Sequence, residues 1–298
     1  MGYTRRKLEE LNVLDDFMIS TLAADDEVGE DFCRELLSIL LQRKIGQVKV
    51  VTQKTIMALS PEYRGIRLDV EVNEAPEDKD GENSSLNVYD IESHLQKETD
   101  LPRHNRFYQA KMDGRYLKSG EKNFNNMPNL YVITITDYDP FGKDYMVYTV
   151  HNKCEEEPDL EYDDGLKFYY FNSEGSKGGS SEIRELLLYL KESKEKNAVN
   201  DDLKKIHQYV KRVKLRPEVR EEYMRFDEII EWERAEERVE TQIEVLIQIL
   251  EQHGKIPDKL RESIINEKDT EVLDKMLKVA ITAKNIEQFE EKMGIVKR

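Results

Sequence analysis

Between Tyr63 and Phe141 the hydrophobic period of the chain switches back and forth between that of a strand and that of a helix, and this limits the fold more than any other feature. Ile66, Leu68, Val70 and Val72 alternate with Arg67, Asp69 and Glu71. That is the period of a strand with one apolar and one ionisable face. Residues 73–87, rich in Glu, Asp, Gly and Ser, read as a long hairpin loop. In the strand that follows, Val88, Asp90 and Glu92 share one face, and Tyr89 and Ile91 share the other. The basic run 102–118 has helical spacing and opens with proline at an early position. Residues 130–136 alternate again and lead into Asp-Tyr-Asp-Pro-Phe-Gly. If the first two strands pair as a hairpin, Asp69 and Glu92 meet on one face. Two carboxylates that close repel each other unless a cation lies between them or one is protonated. Hard dications such as Mg²⁺ take oxygen ligands of this kind. Alternation alone favours the plainer reading, a solvated ribbon face.

The rest of the chain divides around this segment. Residues 30–44 carry Phe32, Leu36, Leu37, Leu40 and Leu41 on one helical stripe, with Gly46 as the stop. Residues 48–57 read as a strand, and 145–150 and 167–171 as further strands. The Gly- and Ser-rich stretch 172–181 reads as a turn or linker, and everything after it as helical: 182–194, the basic 201–214, a long pattern over 217–252 closed by Gly254, and short terminal helices. The expected organisation is an α/β domain over 1–175 and an all-helical region over 176–298. The apolar stripe from Ile243 to Leu250 needs a partner, either the terminal helices or a second copy of the chain.

Four segments stand in one order: Gly-Ile-Arg-Leu-Asp-Val (65–70), Tyr-Asp-Ile-Glu (89–92), Leu-Pro-Arg-His-Asn-Arg-Phe-Tyr-Gln (101–109) and Asp-Tyr-Asp-Pro-Phe-Gly (137–142). In order and spacing they resemble the PD-(D/E)XK nuclease family transposases, the group that includes the recombination-promoting nucleases, over roughly the first two thirds of the chain. The resemblance implies a restriction-endonuclease-like core, a mixed central sheet flanked by helices, and cleavage of DNA with a divalent metal, Mg²⁺ before Mn²⁺ or Ca²⁺. It places Asp69 and Glu92 as metal ligands, with the main-chain carbonyl of Ser93 as the third. It also matches Arg106, Phe107 and Tyr108 to a basic-aromatic signature, so that Arg103 and Arg106, three apart on one helix face, are expected to contact phosphate. Where the family carries Lys or Gln, this chain has His94. A neutral imidazole there can orient or deprotonate water but supplies no fixed positive charge. Gln96, two residues on, is a substitute if the strand continues. The departure leaves a second reading open, a catalytically degenerate nuclease fold that serves as an interaction or DNA-binding module.

Other candidates read more simply. Glu35 is a solvent-facing helix acid, Glu71 a rim charge, and Phe141 a packing residue. Lys111, Arg115 and Lys118 belong to a charged outer face with Phe107 and Ala110 in the core. The five histidines are scattered, without a His-x-x-x-His pair. Of the two cysteines, Cys33 lies in an apolar helical pattern, neither has a cysteine at metal spacing, and zinc is not expected. That usage fits a reducing cytoplasm. With 36% charged residues, a net charge of −16 and no long apolar run, the chain is expected to be soluble, without a membrane span or secretory signal. The acidic balance argues against coating nucleic acid by bulk charge. It leaves room for a local metal–carboxylate centre, and for a homodimer formed through the helical region, since a double-strand break needs two centres.

Overall fold

The alternating segments pair as their spacing predicts. The computed structural model describes residues 6–56, 66–75, 86–116, 120 and 122–294, without the side chains of 52–56, 66–69, 230, 233 and 234. Its strands are β1 (Val48–Ile56), β2 (Ile66–Glu74), β3 (Asn87–His94), β4 (Asn129–Thr136), β5 (Val147–Val150) and β6 (Leu166–Asn172). They form one mixed sheet in the order β1-β2-β3-β4-β6-β5. The first three make an antiparallel meander, β4 and β6 continue it in parallel, and β5 closes the far edge antiparallel. A parallel pair needs a crossover, and between β3 and β4 this is helix α3 (Leu101–Asp113). Helices α1 (Asp16–Ala24) and α2 (Gly29–Leu41) precede β1. The expected order of helix, three strands, helix and strand is therefore present in a mixed α/β layer structure.

The register decides which side chains meet. Val70 pairs with Ile91, Glu71 with Asp90, and Val72 with Tyr89. Directly opposed residues share a face. Val70, Val72, Tyr89 and Ile91 are buried on one face, where α1 and α2 pack on β1 and α1 also reaches β2. The ionisable face is also covered. On it Met112 of α3 packs with Val88, Leu130 and Val132, and Asn105 Nδ2 donates to Thr134 Oγ1 at 2.8 Å. Glu71, Asp90 and Glu92 are only 1, 0 and 5% exposed. The alternation encodes a buried acidic face, and the solvated ribbon is overturned.

Local endings differ from the sequence expectation for identifiable reasons. Helix α2 stops at Leu41 because Gln42 turns left-handed (φ 51°) and its side-chain amide donates to the Ile39 carbonyl. Gly46 lies beyond, its N–H donating to Glu74 Oε1 at 2.7 Å. Helix α3 ends at Asp113, and Lys118 lies outside the described residues. Strand β3 ends at His94, so Gln96 is exposed past its end and does not continue the strand face.

The stretch 172–181 is a packed turn. At Gly175 an added Cβ would stand 2.6 Å from the Tyr145 and Met146 backbone, and Asp144 accepts from the Ser176 N–H at 3.0 Å. Helix α4 (Ser181–Lys191) starts directly after it, capped by Ser180. Both α4 and α5 (Asp201–Lys214) pack on α2, burying Leu186, Leu187, Leu190, Leu203 and Ile206. The chain accordingly divides into compact units at Met1–Glu221 and Glu222–Arg298, later than the expected boundary near 175. The division falls inside α6 (Pro217–His253).

In the second unit, α7 (Asp258–Ile265), α8 (Thr270–Thr282) and α9 (Ile286–Met293) follow α6. Leu246 and Leu250 are fully buried with Leu260, Ile264, Leu273 and Phe289, and Ile243 packs against them. Of the two partners open to the stripe from Ile243 to Leu250, it takes the terminal helices. Among the described residues no helix is long and apolar enough to cross a membrane.

Candidate functional site

The C-terminal end of β3 and the first turn of α3 bring three polar side chains together. Glu92 and His94 are two apart on the strand and so share the face that α3 covers. Asp100 begins α3, its carbonyl accepting from the Arg103 and His104 N–H groups, and the Asn105–Thr134 bond sets the helix against β4. That setting brings His104 to Glu92. His94 Nε2 lies 3.4 Å from Glu92 Oε2, and His104 Nδ1 lies 4.0 Å from the same oxygen. One ligand atom from each residue falls within 4.8 Å of the others. The two imidazoles meet edge-on with ring centroids 5.2 Å apart.

The second nitrogen of His94 is held as well. Its Nδ1 lies 3.0 Å from Glu98 Oε1. Burial pulls the imidazolium down, but hydrogen bonds to Glu92 and Glu98 and the two carboxylate charges outweigh it, raising His94 to about 9. The ring is thus a cation at neutral pH, where a neutral ring was expected. A metal bound at Nε2 must displace that proton.

Other residues expected at the site are placed variously. Asp69 is part of β2, but its side chain lies outside the described residues. The β2–β3 register runs from Glu74–Asn87 to Val70–Ile91, one residue short of position 69. Ser93 turns its side chain to the other face, donating from Oγ to Asp16 Oδ1 at 2.7 Å. Any part it plays toward Glu92 is through its main chain. Arg103 and Arg106 are exposed on the outer side of α3.

The residues read more simply from the sequence also find their places. Phe107, at 36% exposure, and Ala110 are on the outer side of α3 and not in the core. Lys111 lies over the Phe107 ring at 5.4 Å. Glu71 is buried, not a rim charge, and accepts from Arg115 Nη2 at 2.6 Å. Glu35 pairs with Lys205 of α5. Phe141 packs edge-on against Tyr148 and Tyr170, in a loop gathered by Asp139, which accepts from the Phe141 and Asp144 N–H groups and the Tyr148 hydroxyl. Cys33 is fully buried in α2, and burial raises its thiol.

Comparison of the chain with models of known protein families, with curated proteins and with solved structures finds no match. The chemistry of the site therefore rests on its own atoms. Sequence reasoning missed His104 and Glu98. His104 stands in the quoted run Leu-Pro-Arg-His-Asn, one helical turn past Asp100, and its position at the start of a crossover helix is the only signal of its inward placement. The described donors are one carboxylate and two imidazoles, whereas an Mg²⁺ site takes oxygen ligands. Such a set can hold a dication, exchange a proton with water at His94, or simply neutralise Glu92.

Proposed function

We propose that this chain is a divalent-metal-dependent endonuclease with a restriction-endonuclease-like core, hydrolysing phosphodiester bonds of DNA and associated with recombination or mobile elements. The observation that carries the proposal is Glu92: a carboxylate buried at the end of β3, facing two imidazoles beneath the crossover helix. A mixed sheet flanked by helices, with α3 crossing from β3 to β4 over Glu92, supports the reading. Asp69 and Glu92, with the Ser93 carbonyl, hold the ion in this reading. A dication there supplies acidity to water and offsets charge growing on the scissile phosphate. His94, held at Nδ1 by Glu98, would take a proton from the attacking water once its own ring has lost its proton. Arg103 and Arg106, exposed beside the start of α3, take phosphate oxygens along the strand. Pairing of two chains through the helical region would supply the two centres that a double-strand break needs.

Supercoiled plasmid incubated with Mg²⁺, Mn²⁺ or Ca²⁺ tests this, beside an Asp69→Ala/Glu92→Ala control and a labelled RNA of the same sequence. Metal-dependent nicking that disappears in the control is the expected result. One observation favours a second reading. His94 already has both ring nitrogens turned to carboxylates, Nδ1 to Glu98 at 3.0 Å and Nε2 to Glu92 at 3.4 Å, as it would in a nuclease fold that has lost catalysis and serves as an interaction or DNA-binding module. Folded protein that cuts neither polymer with any of the ions would decide for it.

A further inference from the structure

We infer that Glu92, His94 and His104 bind a nitrogen-preferring transition-metal dication, of the Zn²⁺ or Co²⁺ class, in preference to Mg²⁺. The inference deepens the reading above and rests on its placing an ion at Glu92; it differs in the ion, in recruiting a helix-borne histidine, and in making His94 a ligand in place of the group that exchanges a proton with water. Geometry carries it. An ion about 2.1 Å from each donor sets neighbouring donors roughly 3.0–3.4 Å apart. The Glu92–His94 separation, 3.4 Å, already fits. The Glu92–His104 separation, 4.0 Å, needs a small closing movement.

The arrangement around His94 is the second observation. Histidine ligands commonly bind metal through one nitrogen while the other is held by a carboxylate, which fixes the ring. Glu98 holds Nδ1 at 3.0 Å, and Nε2 is the atom turned to Glu92. His104 Nδ1 lies 3.3 Å from Asn105 Oδ1, a long contact that an ion would replace. Asn105 itself stays anchored to Thr134. Imidazole nitrogen suits Zn²⁺, Co²⁺ and related ions, while Mg²⁺ keeps oxygen ligands and water. Two imidazoles and one carboxylate leave coordination positions open for water or a phosphate oxygen.

The test uses the full chain, freed of any polyhistidine tag, with Co²⁺, Zn²⁺ and Mg²⁺ salts as the probes. Intensified visible absorption of Co²⁺ reports its uptake into a site of low coordination number, without reference to activity, and the histidine variants identify its ligands. Expected are visible Co²⁺ bands, thermal stabilisation by Co²⁺ and Zn²⁺ well above that by equal Mg²⁺, and loss of the bands in both His104→Ala and His94→Ala. Glu98→Gln should weaken Co²⁺ binding by about 10- to 100-fold. Circular dichroism shows that each variant is folded, and His104→Ala, at a partly exposed position of α3, keeps the test usable if His94→Ala is not. Co²⁺ bands unchanged in His104→Ala, or no Co²⁺ or Zn²⁺ binding by folded wild-type protein, would overturn the inference. Mg²⁺ stabilisation that survives His104→Ala but vanishes in Asp69→Ala would overturn it too, while leaving the nuclease reading intact. Histidine-dependent Co²⁺ bands in a protein that cuts no plasmid would support it and remove the nuclease reading.

Discussion

Glu74, at the end of β2, and Glu92, near the end of β3, are both nearly inaccessible, on opposite faces of one sheet. Glu74 is saturated. Arg43 Nη2 donates to it at 2.9 Å, the Gly46 N–H at 2.7 Å, Asn87 Nδ2 at 3.0 Å, and the Tyr89 hydroxyl also donates. Burial pushes this carboxyl up, but the donors, Arg43 first among them, outweigh it and hold Glu74 at about 2. Around Glu92, among the described residues, there are instead two imidazole nitrogens at 3.4 and 4.0 Å. Both distances are longer than an ordinary charge-assisted hydrogen bond. A buried carboxylate whose lone pairs are filled at short range is part of the architecture, joining the α2–β1 connection to β2 and β3. One with long contacts to nitrogen ligands keeps capacity for something else. Burial alone does not separate the two roles; the number and length of the donors do.

The sharpest way to break this contrast is to make the same substitution at both positions. Glu74→Gln presents a single carbonyl oxygen where donors converge on both Oε1 and Oε2, so its amide meets N–H and O–H groups whichever way it turns. It should cost about 3 kcal/mol in urea unfolding. Glu92→Gln can turn its oxygen to the imidazoles and its amide away, so its expected cost is under about 1 kcal/mol. Plasmid nicking and Co²⁺ binding should respond in the reverse order, lost at Glu92 and kept at Glu74 in the folded fraction. Equal destabilisation at the two sites would mean that Glu92 is as architectural as Glu74.

Acid titration sharpens the same comparison with a smaller effect. The folded Glu74 carboxyl sits below its ordinary 4.5, at about 2. Its contribution is therefore fully present above about pH 4.5 and is lost as pH falls through the interval toward 2. Wild-type stability should drop across that interval more steeply than that of Glu74→Gln, and the two curves should converge at its acid end. Parallel curves would show that the Arg43–Glu74 pair forms equally in the unfolded chain or contributes nothing.

The strands were legible in the sequence because a period of two survives any environment: Val70, Val72, Tyr89 and Ile91 had to share a face once the hairpin paired. Period says which residues share a face and nothing about what lies over it. That is why Glu71 read as a rim charge and is buried against Arg115. Glu92 and His94 were legible as neighbours by the same parity. His104 was not, because its approach depends on the rotation of α3 about its own axis, which Met112 in the core and the Asn105–Thr134 bond determine. Composition left 172–181 open between a turn and a linker, since glycine and serine serve both. Here Gly175 is required by the close approach of Tyr145 and Met146. Both α4 and α5 were legible as helices, but the element that packs on them, α2, lies more than a hundred residues earlier in the chain.

The smallest expected effect concerns the surface beside the site. Arg103 and Arg106 are exposed on the outer side of α3, and His104 between them points inward to Glu92. One helical turn thus carries side chains suited to a polymer's phosphates and a side chain suited to the chemistry beneath. Replacing both arginines by glutamine removes two exposed charges and no described packing, so stability should change by less than about 0.5 kcal/mol. If each contacts a phosphate, binding to a short DNA duplex should weaken, and the slope of log K against log salt should become shallower by about 1 to 2. Metal binding at Glu92 should be untouched. An unchanged slope would place the DNA path elsewhere on the molecule and leave the buried Glu92 site without the surface that this proposal has feeding it.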